Sequence, residues 1–160
     1  MNALAEKLPA TTTRVERATA PALNHAIRAR TDAEVERLEG LSDEAIESRL
    51  GELDREWDVE RVLQANASTL VLVGVALGVR ADRRFLLLPA AVLSFLAQHA
   101  LQGWCPPIPI LRRLGVRTMR ELQRERHALK ALRGDYDAVP RRGTASRPER
   151  VRAALAAVDR

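Results

Sequence analysis

Cys105 is the one side chain in this sequence with intrinsic nucleophilic character, and its neighbourhood is basic. It lies in Gly103-Trp-Cys-Pro-Pro-Ile-Pro109, with Arg112 and Arg113 shortly after and His99 six residues before. Nearby arginines favour the thiolate, the form that attacks or accepts sulfur. His99 would serve as its base only if its helix ends suitably. The plainer reading of Cys105 is a small buried residue in a tight turn, with persulfide or redox chemistry as the alternative. One cysteine allows no intrachain disulfide and no resolving thiol. His25, His99 and His127 fall on different predicted elements, so no metal site and no cofactor are expected. Gly-rich phosphate loops, paired-carboxylate motifs and serine elbows are missing as well. No catalytic residue is assigned beyond Cys105 as a candidate.

What must position these groups is a pair of apolar runs, residues 62–79 and 85–101, split by the basic hinge Arg80-Ala-Asp-Arg-Arg84. Eighteen and seventeen residues sit at the threshold of about 18 for a membrane-spanning helix. The mean hydropathy of −0.21 conceals this block because the flanks are dense in charge. Those flanks are too charged to cover it as a soluble core, so the sequence predicts a transmembrane helical hairpin, a form that satisfies its own backbone in lipid. Pro89, one turn into the second run, is expected to trim or kink it.

Folding at Asp82 sets Asn66, Ser68 and Thr69 level with Gln98, His99 and Gln102. This polar cluster reads as interhelical hydrogen bonding, or else as a site for a small anion or proton relay. Nearer the turn, Gly74 and Gly78 are expected opposite Ala90 and Ser94, because small residues let helices approach closely and also support self-association. Seven arginines flank the runs (Arg49, Arg55, Arg61, Arg112, Arg113, Arg117 and Arg120) against Arg80, Arg83 and Arg84 in the hinge. The excess places both termini in the cytoplasm.

The remaining chain predicts an all-α protein with amphipathic cytoplasmic helices around the hairpin. Residues 1–30 read as loosely ordered, with no apolar signal-peptide region near Met1 and a short helix opened by Pro21. Residues 31–61 carry a helix opened by the capping pattern Thr31-Asp-Ala-Glu34 and a second from Ser42, striped by Ile46, Leu50, Leu53 and Trp57. No Gly or Pro separates that helix from the apolar run, so one long helix is expected to enter the bilayer. Residues 62–104 are the hairpin itself. Residues 105–135 hold the Cys-Pro turn, non-helical through Pro109, and a helix capped by Thr118-Met-Arg-Glu121 with Met119, Leu122, Leu129 and Leu132 on one face. Gly134 ends it, which also accounts for the Arg133-Gly-Asp135 tripeptide. Residues 136–160 form a linker and a last helix capped at Ser146. The faces around residues 50–57 and 122–132 are expected to bind a cytoplasmic protein or a second copy.

The balance of 26 Lys+Arg against 21 Asp+Glu gives +5, yet charges of both signs alternate and aromatics are 3%. That excludes a nucleic-acid surface with stacking platforms and favours anionic lipid. A helical scaffold bound to the lipid surface is therefore the alternative to a spanning protein.

At Gln102-Gly-Trp-Cys-Pro-Pro107, followed by Leu114-Gly-Val-Arg-Thr118, the chain resembles the YgaP-like inner-membrane domain family. That family has a two-helix hairpin, a Gly-x-Cys-Pro turn and then a Leu-Gly pair. Gly103, Trp104, Cys105 and Pro106 stand at the turn, and Leu114 and Gly115 form the pair. Glu60-Arg-Val-Leu-Gln64 looks like the family's polar entry, with Glu where Asn is commoner. The resemblance covers roughly residues 57–135, extending through a C-terminal stretch seen in some members. It implies a bacterial inner-membrane protein that associates as dimers through its hairpin. Some relatives carry a rhodanese sulfurtransferase domain; residues 1–56 contain no cysteine, so that activity is not implied. An accessory role in sulfur or thiol handling through Cys105 is the enzymatic alternative to a non-enzymatic anchor.

Overall fold

The computed structural model describes residues 8–159, and every regular element among them is helical. In chain order these are α1 (Arg14–Arg17), α2 (Pro21–Glu39), α3 (Asp43–Arg55), α4 (Val59–Arg80), a 3-10 turn (Arg83–Leu86), α5 (Leu87–Gln102), α6 (Ile108–Arg113), α7 (Met119–Leu132) and α8 (Arg147–Asp159). The chain divides into two units, residues 1–29 with 57–122 and residues 30–56 with 123–160.

The first unit holds both apolar helices. Asp58 caps α4 by accepting a hydrogen bond from the Arg61 backbone N–H (2.9 Å), satisfying one of the donors that a helix start leaves open. The backbone is extended at Glu56 and Asp58, so α3 and α4 are separate helices. This corrects the expectation of one continuous helix: the aspartate cap ends α3's continuation without any Gly or Pro. Trp57 falls in the break, off the stripe of α3, half exposed and stacked on the Arg61 guanidinium at 4.6 Å.

After the turn, where the Asp82 side chain accepts from the Arg84 N–H (2.8 Å), α5 begins at Leu87. Pro89 therefore sits in the first turn, where its missing donor costs nothing, and the helix starts two residues into the apolar run. Contacts between α4 and α5 are close. A Cβ on Gly74 would lie 2.5 Å from Pro89 Cδ, and one on Gly78 2.5 Å from Leu86 Cδ2. The two glycines thus face Leu86 and Pro89, whereas Ala90 and Ser94 are exposed. Gly103 ends α5 in the left-handed region (φ 77°), and a Cβ there would collide with the Arg14 backbone. Val15, Val59, Leu63, Cys105 and Ile108 form the buried core beside this turn, with Leu111 and Val116 against it. Ile108–Arg113 is helical, correcting the expectation of a non-helical stretch through Pro109. Pro109 lies in its first turn, where proline is tolerated.

The second unit is built from the ends of α2 and α7 together with α3 and α8. Leu38, Ile46, Leu50, Leu53, Leu129 and Ala157 are buried in it. Arg49 bridges Glu125 (2.7 Å) and Glu52 (2.8 Å), Arg124 meets Asp32 (2.5 Å), and Arg126 meets Asp54. Lys130 Nζ donates to the Val158 carbonyl near the end of α8 (2.8 Å). Helix α2 runs unbroken from Pro21 to Glu39, so the Thr31 pattern starts no helix and the short helix expected from Pro21 continues through it. Residues 1–7 of the N-terminal segment lie outside the described residues. Thr118 and Glu121, by contrast, form the expected reciprocal box: Glu121 Oε2 accepts from the Thr118 N–H (2.7 Å), and Thr118 Oγ1 accepts from the Glu121 N–H (3.3 Å).

Candidate functional site

Where α4 begins and α5 ends, three segments of the first unit are tied by charge. Arg14 Nη2 donates to Glu60 Oε1 (2.7 Å), and His99 Nε2 donates to Glu60 Oε2 (2.8 Å). Glu60 is one residue into an apolar helix, where a bare carboxylate would be costly. Sharing it between a guanidinium and an imidazole satisfies both of its oxygens. His99 is 3% exposed, and its Nδ1 has no partner.

A second clamp follows the turn. Arg112, 1% exposed, takes the Glu121 carboxylate in a two-pronged grip (2.6 and 2.7 Å) and also donates to Asn24 Oδ1 (2.9 Å) and the Val116 carbonyl (3.0 Å). Burial works against ionisation of Glu121. The Arg112 guanidinium and the Thr118 N–H outweigh it and hold the carboxyl below its ordinary value. Thr118 Oγ1 also reaches Glu16 Oε1 (3.3 Å), which anchors α1 to the start of α7.

These clamps decide the chemistry open to Cys105. The thiol is 6% exposed within the apolar core, and its burial pushes the pKa upward. Of the groups expected to activate it, Arg112 is engaged with Glu121 and His99 with Glu60, and Arg113 is exposed to solvent. The arrangement favours the neutral thiol, which is the inert form. Gly103 and Gly115 both adopt positive φ (77° and 85°), so the turn around the cysteine depends on glycine at these two places. Trp104 is partly exposed beside it.

The expected polar cluster does not assemble. Asn66 Nδ2 donates to the Val62 carbonyl (2.9 Å) and Thr69 Oγ1 to the Ala65 carbonyl (2.8 Å), so both are satisfied within their own helix. Ser68 and Gln102 are exposed, Gln98 is half-buried, and His99 turns to Glu60 instead. Ser94 Oγ likewise bonds back to the Ala90 carbonyl (2.8 Å). Sequence reading missed Glu60, Arg14, Asn24 and Glu121 as members of the clamps. The available signal was physical: an acid at the mouth of an apolar run requires a partner. The faces assigned to partner binding are largely internal, since Ile46, Leu50, Leu53, Leu122 and Leu129 are buried and only Trp57, Met119 and Leu132 are open.

Beside Cys105 lies a cavity of about 200 Å³, walled by Leu63, Leu70, Val92 and Phe95 and by the turn at Pro106 and Pro107. In the second unit a more open groove of about 350 Å³ runs along Thr31, Val35, Glu39, Arg124 and Leu132. Among the described residues, no three His, Cys, Asp or Glu side chains gather as a metal site would require. No protein-family model, curated protein or solved structure matches the chain.

Two helices in the first unit are long and apolar enough to cross a membrane. Only 22% and 11% of their most apolar stretches are buried, and Leu72, Val79, Leu87 and Leu93 are among their exposed side chains.

Proposed function

We propose that this chain is a non-enzymatic bacterial inner-membrane protein. Its α4 and α5 insert as a hairpin, both termini are cytoplasmic, and it serves as a membrane anchor or accessory for protein–protein contact. The observation that carries the reading is the exposure of the apolar helices. Monomeric soluble proteins rarely leave so continuous an apolar surface to water, whereas lipid is its natural solvent. At about 1.5 Å per residue, the twenty-two residues of α4 reach about 33 Å, enough for a hydrocarbon core of about 30 Å. The sixteen residues of α5 reach about 24 Å, and Phe85 and Leu86 at the end of the 3-10 turn add to its apolar length.

The chain's two tryptophans support the same placement. Trp57 lies two residues before α4 and Trp104 two residues after α5, both open to solvent at the same end of the helix pair. Interfacial belts are rich in such residues. Arg80, Arg83 and Arg84 stand at the opposite end, and the larger arginine count on the tryptophan side favours the cytoplasm there. The YgaP-like resemblance at residues 102–118 agrees with this architecture.

Self-association through the hairpin falls to the exposed Ala90–Ser94 face, because Gly74 and Gly78 are occupied by the chain's own second helix. Sulfur handling by Cys105 has little support, given its burial and raised pKa. Alkaline carbonate extraction of bacterial membranes tests the reading. An inserted hairpin stays in the pellet; release to the supernatant would instead make the chain a scaffold bound to the lipid surface.

A further inference from the structure

The cavity beside Cys105 is apolar on nearly all its walls. Asn66 carries the only side-chain amide there, and one of its N–H donors is given to the Val62 carbonyl (2.9 Å). A buried water needs two to four polar partners, and an apolar cavity of about 150 Å³ stays dry and takes a small hydrocarbon. At about 200 Å³ this one falls below the 300–1,000 Å³ usual for drug-sized ligands. Its size and lining suit a length of hydrocarbon and exclude a bulky cofactor.

Position then narrows the occupant. Leu70 and Phe95 line the cavity and are also exposed, so it opens onto the outer apolar surface of α4 and α5. Leu63 and Leu70 lie four and eleven residues past Val59, about 6 and 16 Å along the helix. That is the depth of a single leaflet in a hydrocarbon core of about 30 Å. A chain in that leaflet reaches the cavity without crossing water.

We propose that the cavity holds the acyl chain of a bilayer phospholipid, wedged between α4, α5 and the Cys105–Pro107 turn. The proposal rests on the membrane reading above. The bound chain fills the space that the two helices leave next to the Cys105–Pro107 turn.

The test is photo-crosslinking of the full chain in vesicles of phosphatidylethanolamine and phosphatidylglycerol with a trace of phospholipid bearing a diazirine on its acyl chain. Cross-linked residues are mapped by mass spectrometry. Labelling of Leu63, Leu70, Val92 and Phe95 should exceed several-fold that of Thr69 and Leu93, which are exposed at matching depth. Filling the cavity from either helix, with Ala67→Phe or Val92→Phe, should bring the labelling of the remaining wall residues down to the Thr69 and Leu93 level. Equal labelling of cavity and exposed positions, or labelling unchanged in both variants, overturns the proposal while leaving the hairpin intact. Labelling of neither helix at any position would overturn the membrane reading, and the proposal with it.

Discussion

Buried charge is the main organising feature at the residue scale. Arg112 is almost fully enclosed, yet its terminal nitrogens meet Glu121, Asn24 and a backbone carbonyl. Such a pair adds little over an apolar replacement of both partners, but removing one partner strands the other. Glu121→Gln should therefore destabilise the detergent-solubilised protein by about 3 kcal/mol at neutral pH, the low end of the cost of breaking a buried pair. The pH dependence has a definite sign. The folded carboxyl titrates below its ordinary value of 4.5, so its stabilisation is complete above that pH and is lost as pH falls through the folded value. Urea unfolding in micelles from pH 7 to pH 3 should show a larger acid loss in the parent than in Glu121→Gln. Parallel curves would remove Glu121 from the account. None of these pairings was legible in the sequence: His99 meets Glu60 across 39 residues and Arg112 meets Asn24 across 88, distances at which spacing carries no signal.

At the scale of the element, the sequence was readable where the determinants are local. The box at Thr118 worked because both members sit within one turn and α6 has already ended at Arg113, leaving residues 114–118 outside any helix. The same pattern at Thr31 misled because Pro21 had already opened α2 and no breaker intervened. The break between α3 and α4 was hidden for the opposite reason: Asp58 acts as a cap without any change in composition. Helix pairing followed the hinge: folding at Asp82 puts Gly78 level with Leu86, its observed neighbour, whereas Ser94 lies eight residues further along. The 3-10 turn delays α5 to Leu87 and brings Leu86 and Pro89, rather than Ala90 and Ser94, against the glycines. At Gly74 the difference is the single residue from Ala90 to Pro89, and one residue turns a helix by about 100°. Gly74→Ala should accordingly force Pro89 away and cost about 1–3 kcal/mol, the range for overpacking, read as a lower unfolding midpoint in micelles. Ala90→Val, on the open face, should leave that midpoint unchanged. Equal effects at the two positions would contradict the observed packing.

For the whole molecule, the apolar runs were unmistakable because composition alone marks them, and they remain its most informative feature. The structure adds that their apolar side chains are left uncovered by the rest of the first unit. The second unit carries surface ion pairs such as Arg124–Asp32 and Arg126–Asp54. Topology joins these facts. If α4 and α5 cross the membrane as a hairpin, the hinge between them lies outside and the helix-rich flanks lie inside. The most direct measurement is labelling of intact bacterial cells with a membrane-impermeant maleimide, using single cysteines in a Cys105→Ser background. Ala81→Cys reports on the hinge while sparing the Asp82 cap, and Ser146→Cys reports on the flank; both positions are exposed. The account predicts labelling at residue 81 and none at residue 146 until the cells are lysed. Protection of both positions, or labelling at residue 146 in intact cells, would contradict a spanning hairpin with cytoplasmic flanks.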